Sequence, residues 1–329
     1  MGYPHPVHRL SERLTVASVA APGSKLILGL ALGPAVAPSL ADLGALAARC
    51  EEGRLDFILA DPVTGAWDPL TLVAALIPTT RKIGLAAAVS TDWAPFNVAR
   101  ALSALDLLSD GRAAWLATPG DPPAVDAGQF AEHLEATFAL LDSWEDDAMV
   151  FDKAACVFVD RGKVHRITHD GPWFTVDGPL NSPRPVQGRP VVIKAGADEP
   201  FPGADVIIAP PADLEGSSGR RRRMAPSRML VDLPFNLAST PAASDIGPLG
   251  YVGSPDGMAS EMARWLIGGG CDGFVLSPSS RQDVEGFIRA VVPRLQAMDV
   301  FRQDYGEGDL RTRLGLARPP NPFARAATA

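Results

Sequence analysis

The sequence predicts an α/β protein built as one parallel (β/α)₈ barrel, and three observations support this fold class. Short apolar runs alternate with longer segments whose apolar residues recur at helical spacing, which is typical of βα units around a parallel sheet. Eight of the short runs read as strands, the number that closes a barrel. The length of 329 residues suits a single large barrel as well as two average domains.

Four strand–helix units fill the first half of the chain. The first helix has Ser39 as its predicted N-cap, and the third has Pro95 in its first turn and Gly111 just past its end. In chain order the strands and helices are KLILGLAL and SLADLGALAARCEEG, LDFILAD and DPLTLVAALIPTT, KIGLAAAVS and PFNVARALSALDLLSDG, RAAWLATPG and AGQFAEHLEATFALLDSW.

The alternation then breaks and later resumes. Residues 145–189 form a predicted excursion, in which VHRITHDGPWFTVDGPL has β-prone pieces separated by Gly and Pro turns and indicates a hairpin outside the main sheet. Three strand candidates follow, PVVIKAG, DVIIAP and SRMLVDLPFNL. The last unit consists of a helix, a strand and a closing helix, SPDGMASEMARWLIGGG, CDGFVLSP and RQDVEGFIRAVVPRLQAM.

One or two barrel helices, after the fifth and sixth strands, are predicted to be reduced or missing. Parallel neighbours need a connection of about a dozen residues or more. The segment ADEPFPGA after the fifth strand is too short for a normal helix and carries two prolines, while ADLEGSSGRRRRMAP after the sixth is polar and rich in Gly. The whole chain, 1–329, is interpreted as one domain, with an N-terminal tail over 1–24 and a C-terminal extension over 299–329.

Composition excludes several classes of function. The net charge of −8 disfavours a nucleic-acid binder, and no apolar run approaches the roughly 20 residues that span a bilayer. The beginning of the chain does not resemble a secretory signal, so we expect a cytoplasmic protein that binds neither membrane nor nucleic acid. Cys50, Cys156 and Cys271 lack CxxC spacing, which argues against disulfides and a zinc site, and no metal is predicted.

Four stretches of the chain carry a family resemblance. They are RKIGLAAAVSTDWAPFNVARALSALDLLSDGRAAW, LLDSWEDDA, HDGPWFTVDGPLNSPRPVQGRPVVIKAG, and the segment 253–316, and together they cover well over half of the chain. The chain resembles the bacterial luciferase-like flavin monooxygenases, within them the two-component branch that includes nitrilotriacetate and dibenzothiophene-sulfone monooxygenases. The resemblance implies a luciferase-like (β/α)₈ barrel that uses reduced FMN and O₂ to oxygenate a small organic substrate.

The same resemblance implies partners and site residues. A separate NAD(P)H-dependent flavin reductase would supply the flavin, and the chain would form a homodimer. Asp61, Ser90 with Thr91, and Gly196 match family positions near the flavin, at the ends of the second, third and fifth strands. No catalytic residue is assigned, because the cofactor performs the redox chemistry.

Three tryptophans are candidates for a substrate pocket. Trp93 and Trp173 lie on predicted loops, and simple packing is the alternative role for these two. Trp115 matches a family tryptophan.

The predicted phosphate site departs from the family. Asp198 and Glu199 stand where relatives have a small polar pair and a Gly that open a phosphate-binding helix, and carboxylates repel phosphate. The run 220–223 of four arginines is either a replacement phosphate clamp or a solvated loop. We therefore expect weak or lost FMN binding. The alternative function is a flavin-free homologue that acts as a non-redox enzyme, a partner subunit or a small-molecule binding protein.

Overall fold

The computed structural model describes residues 24–33, 36, 39–61, 67–119, 127–196, 203–214, 227–238 and 246–324. Its strands are β1 (Ile27–Ala31), β2 (Phe57–Ala60), β3 (Gly84–Ser90), β4 (Ala113–Thr118), β5 (Met149–Asp152), β6 (Val157–Val159), β7 (Thr168–Asp170), β8 (Thr175–Asp177), β9 (Val191–Ala195), β10 (Val206–Ala209), β11 (Arg228–Leu237), β12 (Tyr251–Gly253) and β13 (Gly273–Pro278).

The helices lie mainly between the barrel strands. They are α1 (Leu40–Glu52), α2 (Pro69–Ala75), α3 (Pro95–Ser109), α4 (Ala127–Leu141), α5 (Pro211–Leu214), α6 (Pro255–Ile267), α7 (Arg281–Gly286), α8 (Val292–Ala297) and α9 (Leu310–Arg313). A π-helical turn, Phe287–Val291, joins α7 to α8, and short 3₁₀ turns cover Ile77–Thr79 and Arg161–Lys163.

Eight parallel strands close into a barrel, as the sequence predicts. The strand order is β10-β9-β4-β3-β2-β1-β13-β11, and pairing of β10 with β11 closes the ring. The short strand β12 pairs beside the end of β11. All these pairings are parallel, so the carboxyl ends of the eight strands meet at one end of the barrel.

Alternate residues of each strand face two different cores. One set fills the barrel interior, and the other packs between the strands and the helices. The interior is tightly filled near β1, where a Cβ on Gly29 would lie 2.4 Å from the Phe57 ring. The interior set contains Ile27, Phe57, Leu59, Ala86, Ala88, Ala114, Leu116, Val191, Ile193, Val206, Ile208, Leu230 and Val275.

The C-terminal extension closes the amino-terminal end of the barrel. Leu310 and Leu314, in and just after α9, belong to the interior cluster, and a Cβ on Gly84 at the start of β3 would lie 2.8 Å from the Leu310 methyl groups. This plug leaves the opposite end of the barrel for a ligand site.

The predicted helix ends are confirmed. The Ser39 side chain accepts from the Asp42 amide at 3.2 Å and caps α1, and Pro95 opens α3. Asp110 ends α3 in the left-handed region at φ 57°, and Gly111 follows at φ 75°. The turn therefore needs the conformational freedom of Gly111.

Around β9 and β10 the part of the chain that the structure describes contains one short helix and no full-length barrel helix. Only residues 196–205 connect these two strands, and Gly196 and residues 203–205, the described part of that connection, are not helical. After β10 the described segment contains only the four-residue helix α5.

The excursion contains two antiparallel hairpins. The predicted one is confirmed as β7–β8, with His169 paired to Val176. The second, β5–β6, lies in MVFDKAACVFV and escaped prediction because its apolar residues are mostly exposed. Exposed apolar residues do not produce the buried-strand pattern on which the prediction depends.

The stability of the fold should depend on the ionisation of Asp106. This buried carboxylate of α3 accepts from the Gln187 side chain at 2.6 Å and from the Gln187 and Ala113 amides at 3.2 Å each. Burial raises the pKa of Asp106 from 3.8 to about 6. The hydrogen bonds from Gln187 and Ala113 lower this pKa, but their effect is smaller than that of burial. The pKa of Asp106 is higher in the folded chain than in the unfolded chain, so the protonated carboxyl group favours the folded state. This contribution to the free energy of unfolding is complete below pH 3.8 and is lost as the pH rises through about 6.

We therefore predict that Asp106→Asn changes the pH dependence of stability. The free energy of unfolding of the variant, relative to that of the native chain, should rise by about 2 kcal/mol between pH 4.5 and 7. Urea unfolding at several pH values measures this slope independently of any constant cost of the substitution. Parallel pH profiles for the two proteins would contradict the assignment to Asp106.

Candidate active site

The candidate site lies at the barrel mouth, which we define as the carboxyl ends of the eight barrel strands and the residues that follow them. Ser90 ends β3 and Thr91 follows it, while Asp61 follows β2 and Gly196 follows β9. The parallel sheet therefore brings the four predicted cofactor residues to the same end of the barrel, which is where (β/α)₈ enzymes carry their active sites.

The two neighbouring hydroxyl groups at the end of β3, of Ser90 and Thr91, differ in their hydrogen bonding. Ser90 Oγ donates to Asp92 Oδ2 at 2.9 Å and accepts from the Asp92 amide at 3.1 Å, so a local turn uses it. Thr91 is 5% exposed, and its Oγ1 is buried without a hydrogen-bond partner among the residues that the structure describes. A buried hydroxyl left in this state costs about 1–3 kcal/mol, and at an active site it is suited to a ligand.

Gly196 places a backbone turn at the mouth. Its φ is +86°, in the left-handed region, and its amide donates to the Ile208 carbonyl at 2.8 Å. A residue with a side chain would be strained here. The predicted phosphate-site features, Asp198, Glu199 and the arginine run 220–223, lie outside the described residues.

An acidic pair faces the mouth from β2 and β11. Asp232 on β11 is partly buried, and Ser277 on β13 donates to its Oδ1 at 2.8 Å. Burial raises the pKa of Asp232; the Ser277 hydrogen bond opposes this change, and the negative charge of Asp61 adds to it. The negative charges of Asp61 and Asp232 therefore repel each other. Together they make the part of the mouth beside them unfavourable for anions.

Asp232 and Ser277 were missed at the sequence level, although a signal was present. In SRMLVDLPFNL, Asp232 is an acidic residue within an apolar strand and shares the alternation of Leu230, which lies in the interior cluster. A charged residue at an interior position of a barrel strand, above the apolar interior layer, is a functional candidate.

Trp93 and Trp173 are exposed, and the backbone of each is hydrogen-bonded to a side chain of α4. Trp93 and Trp173 are each 45% exposed. The Trp93 carbonyl lies 2.8 Å from His133 Nε2, and the Trp173 amide donates to Glu132 Oε1 at 3.3 Å. Adjacent residues of one helix thus hold both loops, and both indole rings are available to a ligand.

The third candidate, Trp115, lies elsewhere. It is 1% exposed in the layer between the strands and the helices, while its neighbours Ala114 and Leu116 face the barrel interior. Its Nε1 donates to the Val89 carbonyl at 3.0 Å. Trp115 therefore packs between the strands and the helices and does not line the mouth, so we leave it out of the proposed pocket.

A plugged (β/α)₈ barrel with polar groups and exposed aromatic rings at its open mouth defines an enzyme-like small-molecule site. The family model described as luciferase-like monooxygenase matches residues 23–200, more than half of the chain. The chain belongs to this family, which confirms the resemblance found in the sequence.

Individual relatives agree with this assignment. Dibenzothiophene-sulfone monooxygenase of Rhodococcus erythropolis is 29% identical, over 77% of this chain and 80% of its own. Nitrilotriacetate monooxygenase component A of Aminobacter aminovorans is 27% identical, over 82% and 83%. A riboflavin lyase solved with modified FMN and riboflavin has a TM-score of 0.77 at 23% identity, covers 89% of this chain and 96% of its own, and shows the shared fold.

None of the described helices has the length and apolar character needed to cross a membrane.

Proposed function

We propose that the protein is a monooxygenase that uses reduced FMN and O₂ to oxygenate a small organic molecule, with the flavin supplied by a separate NAD(P)H-dependent reductase. The observation that carries this proposal is the buried, unpartnered Thr91 hydroxyl at the end of β3. Family membership, the "component A" in one relative's name and the FMN in the related lyase support it.

The residues at the mouth fit a flavin in complementary ways. Thr91 Oγ1 can both donate and accept, as the polar edge of an isoalloxazine ring requires. Gly196 lets the ligand approach the backbone closely. Asp61 would lie beside the same ligand. A bound flavin supplies the redox chemistry, and the chain binds it, orients the substrate and excludes water.

The acidic pair narrows the class of substrate. Asp61 and Asp232 face the mouth, and a polycarboxylate such as nitrilotriacetate would be repelled there. Another relative is named dibenzothiophene-sulfone monooxygenase, and dibenzothiophene sulfone is uncharged and flat. We infer an uncharged organic substrate whose flat face can lie against Trp93 or Trp173.

A substitution at Thr91 tests the flavin site. Thr91→Val preserves shape and removes the unpartnered hydroxyl, so we expect the free energy of unfolding to rise by about 1 kcal/mol. The Kd for reduced FMN should rise about 10-fold, the loss of roughly one good hydrogen bond. Thr91→Ser, which keeps the hydroxyl, is the matched control and should bind within about 3-fold of the native chain. Equal binding by Thr91→Val would contradict the assigned role.

Activity is tested with an added flavin reductase, NADH and O₂. Product formation from dibenzothiophene sulfone and none from nitrilotriacetate would support both the reaction and the substrate class. The reverse preference would contradict the inference drawn from the acidic pair.

One observation favours the alternative, a flavin-free binding protein. The connection 196–205 is too short for a regular phosphate-binding helix after β9. Binding of reduced FMN discriminates between the two functions.

We also propose that the protein forms a cytoplasmic homodimer. The β5–β6 hairpin exposes Val150, Phe151, Val157 and Phe158, apolar surface of the kind that a second copy covers. Light scattering that gives the monomer mass at micromolar concentration would contradict the dimer.

A further inference from the structure

His133 is a fully buried histidine in the second turn of α4. Its Nε2 lies 2.8 Å from the Trp93 carbonyl, and its Nδ1 lies 3.4 Å from Thr137 Oγ1. Since a carbonyl oxygen can only accept, Nε2 carries the hydrogen and Nδ1 faces the Thr137 hydroxyl as an acceptor. Burial lowers the pKa of His133, which agrees with a neutral imidazole that donates one hydrogen bond.

The same imidazole contacts three different parts of the fold. Phe174 of the β7–β8 hairpin meets it edge to face, with ring centroids 5.3 Å apart and planes at 85°. The Trp115 ring of β4 lies 6.2 Å away on another side. The loop after β3, the hairpin and β4 therefore meet at this one side chain.

The preceding residue fixes the hairpin independently. Glu132 is buried, and its Oε1 accepts from the Phe174 amide at 2.8 Å, from His169 Nε2 at 3.2 Å and from the Trp173 amide at 3.3 Å. Because Glu132 holds the hairpin, Phe174 forms a fixed surface against which the imidazole packs.

The segment Ser90–Trp93 is held at two points. The Thr91 amide donates to the Thr118 carbonyl of β4 at 3.0 Å, and two residues later the Trp93 carbonyl is bound by His133. Ser90 and Asp92 close the turn between them. Loss of the His133 contact would remove the second of these hydrogen bonds, and between Thr91 and the start of α3 the turn would then be held only by its own local contacts.

We propose that His133 is a positioning residue: its Nε2–H bond to the Trp93 carbonyl fixes the turn after β3 against the β7–β8 hairpin, and thereby orders the Thr91 hydroxyl for the flavin and the Trp93 ring for the substrate. This inference rests on the proposed function for its effect on binding. The order that His133 gives to the turn does not depend on any ligand.

Two substitutions separate the hydrogen bond from packing. His133→Phe keeps an aromatic ring against Phe174 and removes the donor, whereas His133→Gln keeps an N–H near the position of Nε2. We expect His133→Phe to raise the Kd for reduced FMN about 10-fold and His133→Gln to change it less than 3-fold. If both variants lose binding equally, or neither does, the proposal is overturned.

A double-mutant cycle tests whether His133 acts through Thr91. In the Thr91→Val background, His133→Phe should raise the Kd for reduced FMN less than about 2-fold, because the hydroxyl that it orders is already gone. Additive losses would show that the effect of His133 is only structural and would overturn the positioning role.

Hydrogen exchange provides a readout without flavin. Peptides covering 90–97 should exchange faster in His133→Phe than in the native chain and in His133→Gln, while peptides from β1 and β13 remain unchanged. Unchanged exchange over 90–97 would overturn the proposal. If the native chain fails to bind reduced FMN while this exchange difference is present, the proposed function fails and the positioning of the turn stands. Should His133→Phe not fold, His133→Asn, whose shorter amide cannot reach the carbonyl, replaces it in each comparison.

Discussion

Arg184→Leu is expected to lower the free energy of unfolding by about 3–5 kcal/mol, because it removes one of the two arginine partners of the buried Asp142 carboxylate. The side chains of Arg184 and Asp142 are each 1% exposed. Arg184 Nη2 donates to Asp142 Oδ1 at 3.0 Å and to the Pro319 carbonyl at 3.0 Å, and its Nη1 donates to Asp146 at 2.9 Å. One guanidinium thus ties the end of the excursion to the segment after α4 and to the C-terminal extension.

Arg318 offers a matched control within the same network. It also pairs with Asp146 but is 42% exposed, so Arg318→Leu should cost less than about 1 kcal/mol. Urea unfolding of the two variants at pH 7 measures the difference. Similar small costs for both would show that Asp142 is satisfied without Arg184, by Arg189 alone.

Gly273→Ala is expected to lower the free energy of unfolding by at least about 3 kcal/mol or to prevent soluble expression. Gly273 begins β13 and pairs with Ile27 of β1. A Cβ at this position would lie 1.9 Å from the Ile27 carbonyl oxygen and 2.6 Å from its nitrogen. Since these are backbone atoms of a paired strand, relief requires two barrel strands to separate.

Gly306→Ala is the control for this prediction. A Cβ at Gly306 would meet nothing within 4 Å, so the change should stay within about 0.5 kcal/mol. Thermal or urea unfolding of both variants provides the comparison. A Gly273→Ala protein as stable as Gly306→Ala would contradict the close approach of β1 and β13.

The barrel could be predicted from sequence because its strands are buried on both faces. Such strands appear as continuous apolar runs, and the short connection after PVVIKAG predicted that no full-length helix joins the fifth and sixth strands. The plug by Leu310 could not be predicted, since it contacts Gly84 across more than 200 residues of sequence. Nor could the direction of Trp115, because a run that is apolar throughout does not show which alternate residues face the interior.

The candidate site was predictable only in part for similar reasons. The family resemblance singled out Ser90 and Thr91 together, but only their surroundings separate a hydroxyl that Asp92 uses from one that has no partner. Asp232 became visible as a mouth residue once the strand register was known. His133 carried no motif, and its importance lies in contacts with residues some forty positions away in both directions.

The most direct test of the central claim is an anaerobic titration of the native chain with photoreduced FMN, followed by quenching of tryptophan fluorescence. We predict saturable binding with a Kd at or below about 10 µM, roughly −7 kcal/mol. No saturable binding up to about 1 mM reduced FMN would contradict a flavin site at the barrel mouth and would favour the flavin-free alternative.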